Sequence, residues 1–341
     1  MIPAARQFAA ASLTIALAAT VGQTAVSRAA AAPTASAVLQ QSAKAGAHFD
    51  YCGTKRLLFY GGESPREIKL RVIHLRPDRT RTDFLGPGRT QGTVRIEIGK
   101  DAWRFHPRTS QWRPSASRDA AAMDLARLLA NYTVTQERIE RMAGRRCHVI
   151  AIKPRRSGNP SRRVWVDVAT KVPLKTQFFA ADGALISEAS LTDIQFAVAK
   201  SLAALVHPPS NVAAAPEHQS ALDFEPIKPA YLPPGYELVA SAVLSARGRP
   251  SCHLQYSDGL GTVSVFEQRR APAKEEHERP HARGQQQHTR HRAQFPPVLR
   301  WEHADIRFTL IGDVSLQELD KIAASLPGGQ DAEAPPQSGE D

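Results

Sequence analysis

One pentapeptide has the residue types and spacing of a catalytic centre: His277-Glu278-Arg279-Pro280-His281, which matches H-E-x-x-H. In a zinc protease that spacing works because a helix puts both imidazoles on one face around one metal, with the glutamate as general base. Here Pro280 stands immediately before the second histidine, where it disrupts helical hydrogen bonding. The flanks carry no apolar period that would bury such a helix. The motif therefore reads as part of a solvated loop. With His288 and His291 nearby, adventitious metal binding is the chemistry left to it. The chain has no G-x-S-x-G, no Walker loop and no dinucleotide fingerprint. Gly86-Pro87-Gly88 is too short and too proline-bound to cradle a phosphate, and Asp167 and Asp182 read as turn residues rather than a catalytic pair. No catalytic, cofactor or metal site is expected, and the chain reads as a binder or regulator rather than an enzyme.

The elements around these residues point the same way. Leu254 to Glu267 reads as strand, turn, strand. Leu254 and Tyr256 alternate with polar neighbours, Ser257-Asp258-Gly259 supplies turn chemistry, and Val263 and Val265 resume the period of two. Upstream, Ala35–His48 can form an amphipathic helix. Short alternating runs follow at Lys55–Tyr60, Ile68–Leu75, Arg79–Leu85, Thr93–Ile98 and Ala102–His106, then towards Trp112, with Gly, Pro and Asp between them. A helix is expected from a Ser117 cap to about Ala130, with Met123, Leu125, Leu128 and Leu129 on its apolar face. Strands resume over Tyr132–Met142, Cys147–Lys153, Arg163–Val168, Pro173–Phe179 and Leu185–Phe196, with turns at Gly144-Arg145-Arg146 and Ala181-Asp182-Gly183. These elements predict an α+β chain. Its first domain, 38–198, is an antiparallel sheet of about nine to eleven strands with two or three helices. A linker follows at 199–222, then a smaller α/β domain at 223–326. The second domain holds Tyr236–Leu244, the hairpin, Ile306–Asp313 and a helix from Ser315 to Leu326, where Ser315 and Glu318 fit a capping box. Residues 269–293, rich in Arg, Gln and His, read as an inserted mobile loop, and the acidic tail 327–341 as disordered.

Location follows from the N-terminus. Arg6 precedes an apolar run from Phe8 to Val21, and Ser27-Arg28-Ala29 and Ala29-Ala30-Ala31 fit small-x-small cleavage sites. This predicts a signal peptide over 1–31, an uncleaved anchor being the alternative, and no cysteine stands near the cut for lipid attachment. The formal net charge is +11. Export removes nucleic acid as a partner, so that charge points to membrane surfaces or an acidic protein. Arginines and lysines from Arg66 to Arg113 fall largely on alternate strand positions, which makes one basic face. It reads either as a solvated face or as an anionic docking surface, with Arg71 and Arg81 as candidate partner contacts beside Tyr256 and Asp258 of the hairpin. In an oxidising compartment two of the three cysteines can pair. Cys52 and Cys147 are the candidate pair, and three buried free thiols are the alternative. The aromatic side chains Phe59, Trp103, Phe105, Trp165 and Phe178 read as core or, if the sheet is curved, as a lipid-facing lining.

The C-terminal part resembles the MucB/RseB family of sigma-E regulatory proteins. The resemblance is carried by Leu232-Pro233-Pro234-Gly235-Tyr236-Glu237-Leu238, Tyr256-Ser257-Asp258-Gly259-Leu260, Val263-Ser264-Val265-Phe266, Ile311-Gly312-Asp313-Val314 and Ile322-Ala323. Arg71-Val72-Ile73-His74, Val164-Trp165-Val166-Asp167 and Leu174-Lys175 extend it into the N-terminal part. The resemblance implies a first domain like the outer-membrane lipoprotein carrier, an unclosed β-barrel over helices, and a periplasmic location. It implies binding to the periplasmic segment of a membrane anti-sigma factor, shielding that segment from proteolysis, with lipid or lipopolysaccharide relieving the binding. The run from Gly86 to Pro107 departs from the family's pattern and looks as much like a general lipoprotein-carrier relative. A periplasmic carrier of lipid or lipoprotein, without an anti-sigma partner, is therefore the alternative reading.

Overall fold

The strand-forming runs are short and bounded by Gly, Pro and Asp, so each can return antiparallel to its neighbour. The computed structural model describes residues 33–61, 64–87, 90–115, 124–212, 222–246, 249–270 and 296–331. The expected signal peptide at 1–31 and the H-E-x-x-H pentapeptide lie outside the described residues, as do the expected Ser117 cap with Met123 and most of the expected insertion. Helix α1 (Ala35–Ala43) starts at Thr34, whose hydroxyl accepts the Ala37 N–H at 3.2 Å. The sequence predicts helix through His48, but a 3-10 turn over Ala45–Ala47 replaces its end. The carbonyl of Gly46 instead accepts a hydrogen bond from His74 Nε2 at 2.7 Å.

The first six strands form one meander: β1 (Tyr51–Phe59), β2 (Arg66–Leu75), β3 (Arg79–Phe84), β4 (Val94–Ile98), β5 (Asp101–His106) and β6 (Gln111–Pro114). Helix α2 (Leu125–Asn131), capped by Asp124 accepting the Arg127 N–H, leads into a second. That one comprises β7 (Tyr132–Met142), β8 (Arg145–Pro154), β9 (Ser161–Asp167), β10 (Pro173–Phe179) and β11 (Leu185–Gln195). The meanders join where β1 pairs antiparallel with β11, giving an eleven-stranded sheet in the order β6-β5-β4-β3-β2-β1-β11-β10-β9-β8-β7. Its end strands β6 and β7 do not pair with each other, so the sheet is open. The β7–β8 turn is Ala143-Gly144, with φ of 48° and 76°, the left-handed pair a two-residue hairpin requires. The expected turn at Gly144-Arg145-Arg146 is displaced by that geometry.

Asp167, expected as a turn residue, is instead the last residue of β9 and is 1% exposed. It receives both arms of Arg145, at 3.0 and 2.9 Å, and the N–H and hydroxyl of Thr170. Such a paired buried carboxylate fixes the chain between β9 and β10.

The three cysteines are free and buried. The expected Cys52–Cys147 pair is not formed: Cys52 lies on β1 and Cys147 on β8, four strand steps apart in the sheet. At about 4.8 Å per step, that exceeds the roughly 7 Å Cα limit for a disulfide. The stretch expected as linker is partly built into the sheet. After helix α3 (Lys200–Ala203), Val206 is 3% exposed against Cys52, Ile73 and Leu75, and Val212 bridges Trp112.

The second sheet has five strands: β12 (Glu237–Ala246), β13 (Arg249–Ser257), β14 (Thr262–Arg269), β15 (Val298–His303) and β16 (Ile306–Gly312), in the order β12-β13-β14-β16-β15. Helix α4 (Leu316–Ala324) covers it. Cys252, Leu254 and Tyr256 on β13, Val263 and Val265 on β14 and Phe308 and Leu310 on β16 alternate inwards to meet Leu319 and Ile322 of α4. Each fully buried Leu, Ile or Phe of this kind contributes about 1.5–3 kcal/mol. The expected capping box is half formed. Ser315 Oγ accepts the Glu318 N–H at 3.2 Å, but the Glu318 carboxylate takes the Tyr231 hydroxyl at 2.6 Å instead. Arg269, expected as the first residue of the insertion, instead ends β14 in ion pairs with Asp223 and Asp305. The first residues of the expected disordered tail are built into the fold: Pro327 O accepts the Trp301 Nε1–H at 2.9 Å, and Gly329–Asp331 form a 3-10 turn.

Candidate functional site at the junction of the two sheets

The hairpin turn between β13 and β14 is the part of the second sheet that meets the first. A turn of four residues leaves backbone donors unpaired, and Asp258 satisfies two of them: its Oδ1 accepts the N–H groups of Leu260 and Gly261 at 3.0 and 2.8 Å. Its Oδ2 reaches across, accepting the Tyr132 hydroxyl at 2.6 Å and the Asn159 amide at 3.0 Å. Tyr132 and Asp258 are both 0% exposed. Burial raises the Asp258 pKa, against the lowering effect of those donors, and burial with the Asp258 charge raises that of Tyr132. A carboxylate touching a phenol has the look of an acid–base pair. Here every acceptor position is taken and no face is open to solvent, so the pair holds rather than reacts.

The neighbours extend the lock. Asn131, the last residue of α2, shares its amide among the carbonyls of Arg127, Asp258 and Gly235. Arg127 donates to Ser257 O at 3.3 Å and pairs with Glu237 at 2.9 Å. Gly259, at φ 99°, lies so close to α2 that a Cβ there would stand 2.5 Å from the Leu128 nitrogen. Gly261 admits the Tyr236 hydroxyl, which a Cβ would meet at 2.3 Å. Leu260 enters the cluster of α1, α2, β8 and β9 side chains around Val38, Leu128 and Ile150.

Two of the four expected partner contacts are thus turned inward: Tyr256 is 3% and Asp258 0% exposed. The other two meet at one carboxylate. Arg71 and Arg81 donate to opposite oxygens of Asp83, each at 2.8 Å, and Arg81 also reaches Leu205 O. The Arg71 side chain remains 46% exposed and that of Arg81 17%. Asp83, Asn131, Tyr132 and Asn159 escape the sequence reading because single polar residues in a strand, at a helix end or in a loop carry no periodic signal.

The five aromatic candidates fall in three places. Phe59 and Phe178 both stand opposite Ser187 and so share a face across β1, β11 and β10. Arg66 lies over the first ring and Arg162 over the second. Trp103 and Phe105 share a face of β5, the latter 5.4 Å from Trp112. Trp165 is on the other face of β9 from Arg162, the residue opposite Phe178. It is buried, donating to Glu140 at 2.6 Å beneath Lys175. A cleft of about 130 Å³ between β1, β2, β10 and β11 is lined by Tyr51, Lys55, Val72, Leu174, Lys175 and Leu191, with none of the five aromatics. Pockets for drug-sized ligands hold about 300–1,000 Å³.

An open antiparallel sheet packed against the hairpin turn of a second, smaller sheet defines a two-sheet fold of the MucB kind. A complex of Pseudomonas aeruginosa MucA and MucB is similar over 89% of this chain and 99% of that one, with a TM-score of 0.60 and 19% identity. MucB in complex with MucA(peri) covers 89% and 100%, with a TM-score of 0.57 and 19% identity. MucB by itself covers 85% and 96%, with 0.53 and 20%. The fold is MucB/RseB-like. A family model described as "Uncharacterized protein" matches residues 77–203. No curated protein matches in sequence. Among the described residues no helix is long and apolar enough to cross a membrane.

Proposed function

We propose that the chain is an exported, periplasmic regulator that binds the periplasmic segment of a membrane anti-sigma factor and works by binding rather than catalysis. The observation that carries this reading is the likeness to MucB over both sheets, 89% of the chain, including MucB solved with MucA(peri). The division of labour proposed from the sequence goes with it: a half-barrel domain at 38–198, a linker at 199–222 and a second domain at 223–326. Arg71, whose side chain is about half exposed, contacts the partner directly. Asp258 acts on binding by fixing the second sheet on the first, and Tyr256 by packing the core of the second. A lipid or lipopolysaccharide signal is proposed to act at the Phe59–Phe178 row of the large sheet. A carrier has little need of a second sheet locked on by a buried polar network, so the regulator is preferred to the carrier.

The test is affinity capture with protein starting at Ala32 from its own host's envelope extract, reading proteins and lipids by mass spectrometry. The expected result is a single-span membrane protein with a small cytoplasmic sigma-binding domain. Its purified periplasmic segment should bind directly and resist protease when bound. Recovery of lipoproteins or stoichiometric lipid, with no such membrane protein, would establish the carrier instead.

A further inference from the structure

The free end of the large sheet carries three arginines in one row. Arg95 on β4 stands directly opposite Arg104 on β5, and Arg104 directly opposite Arg113 on β6. Residues in direct cross-strand register project from the same face with Cβ atoms about 5 Å apart, and like charges so placed destabilise a sheet. Elsewhere this sheet matches such charges: Arg71 and Arg81 share Asp83, Arg56 meets Glu67, and Lys175 meets Glu188. In the row, Arg95 has Glu97 at 2.8 Å and Ser115 Oγ at 3.1 Å. Among the described residues Arg104 and Arg113 meet no carboxylate. Arg104 lies over the Phe84 ring at 5.9 Å, and Arg113 reaches the Gln111 amide oxygen at 3.4 Å. Exposure rises along the row: the Arg95 side chain is 11% exposed, Arg104 is half-buried and Arg113 is open at the edge strand. The inner arginine is held in place, the middle one is backed by an aromatic ring, and the outer one stands in solvent.

We infer that Arg95, Arg104 and Arg113 form a binding site for phosphate oxyanions, with Arg104 and Arg113 as the fork that takes the ligand and Arg95 as the positioning residue behind it. Planar guanidinium groups match phosphate bidentately. The repulsion along the row is what a bound polyanion would relieve. A phosphate of this kind comes either free in solution or on a lipid headgroup. The inference does not rest on the anti-sigma reading, since the row lies at the far end of the sheet order from β7, β8 and β9.

The probes are inorganic pyrophosphate, measured by calorimetry and by its effect on Tm, and phosphatidylglycerol vesicles against phosphatidylcholine vesicles, measured by co-sedimentation. Arg104→Gln is expected to weaken pyrophosphate binding about tenfold or more, and Arg104→Gln/Arg113→Gln to abolish it. Without ligand, both variants are expected to keep or raise the wild-type Tm, because a like-charge contact is removed. Arg104→Lys should recover only part of the binding, since it restores charge but not the fork. Pyrophosphate binding without vesicle binding assigns the site to a soluble phosphate. Vesicle binding that the double variant loses and pyrophosphate competes away assigns it to a headgroup. The inference is overturned if neither probe binds, if wild type and double variant bind alike, or if polyglutamate binds where pyrophosphate does not.

Discussion

Asp258 shows how much one side chain can organise when its surroundings are dry. Its carboxylate accepts four hydrogen bonds, two within its own turn and two from the other sheet. Asp258→Ala would leave those donors buried without a partner, each costing about 1–3 kcal/mol unless water enters. Urea unfolding is expected to show a loss of about 3 kcal/mol or more for Asp258→Ala and a smaller loss for Asp258→Asn, which keeps one oxygen. The cysteines make a second prediction at this scale. Burial pushes the thiols of Cys147 and Cys252 up to about 11, so little of the reactive thiolate exists at neutral pH. Iodoacetamide at pH 7.5 should label folded protein slowly and all three sites after denaturation. A rapid loss of thiol in the native protein would contradict the buried placement of these side chains.

At the scale of elements, the hairpin turn and the edge of the second sheet matter most. Gly259→Ala places a methyl 2.5 Å from backbone in α2 at a φ of 99°. Neither the helix backbone nor the left-handed conformation accommodates it, so a loss of at least about 2 kcal/mol is expected. Gly235→Ala also sits at positive φ, but its clash is with the Asn131 side chain, which can move by giving up hydrogen bonds where the α2 backbone cannot move, and its loss should be smaller. Limited proteolysis between the sheets, compared for the two variants, checks the order. Strand β12 is the free edge of the small sheet, and Leu238, Val239, Val243 and Leu244 on it are 40–48% exposed. Natural edges are commonly blunted with lysine to prevent strand addition. Val239 lies at the irregularity between Leu238 and Ala240, outside the regular ladder. Val239→Lys should therefore change unfolding free energy by no more than about 0.5 kcal/mol while lowering self-association in sedimentation at high concentration.

For the whole molecule, the two sheets should respond to pH in opposite directions. In the large sheet, the Trp165 hydrogen bond holds Glu140 below its ordinary range. At Asp167, burial raises the pKa, but the bonds from Arg145 and Thr170 outweigh it and leave it lowered. Their contribution is present above the ordinary carboxylate values and is lost as pH falls through the lowered ones. In the small sheet and at the junction, burial raises Asp258, Glu267 and Asp313. Glu267 is 0% exposed and both its oxygens accept from the Ile227 N–H, with no cation beside it among the described residues. For these groups the folded state takes up protons first, so stability is greatest below their ordinary values and falls as pH rises through the raised ones. Hydrogen exchange corrected for intrinsic rates should show the small sheet better protected near pH 5 than at pH 7. The large sheet should lose protection below about pH 4. Glu267→Gln should reduce the gain in the small sheet, and an unchanged gain in that variant would remove Glu267 from the account.

The sequence by itself determined the antiparallel runs, their turns and the order of the two sheets. Period-two alternation and Gly, Pro and Asp punctuation are local signals that survive without partners. IKLRVIHL, RVWVDV and IRFTLIGD show this on β2, β9 and β16. The importance of the YSDGL turn was legible too, because Asp and Gly there have a backbone reason to be present. Tertiary structure decided what those residues face. Asp258 lies inside the junction because Tyr132 and Asn159, 126 and 99 residues away along the chain, bring donors to it. Cys52 and Cys147 lie apart because β1 pairs with β11, the last strand of the sheet, which sets β11, β10 and β9 between them. Arg95, Arg104 and Arg113 form a row because the registers of β4, β5 and β6 align them. Each of these outcomes depends on which strands become neighbours and in what register. Those are properties of long-range pairing and burial, and a local pattern of residue types does not contain them.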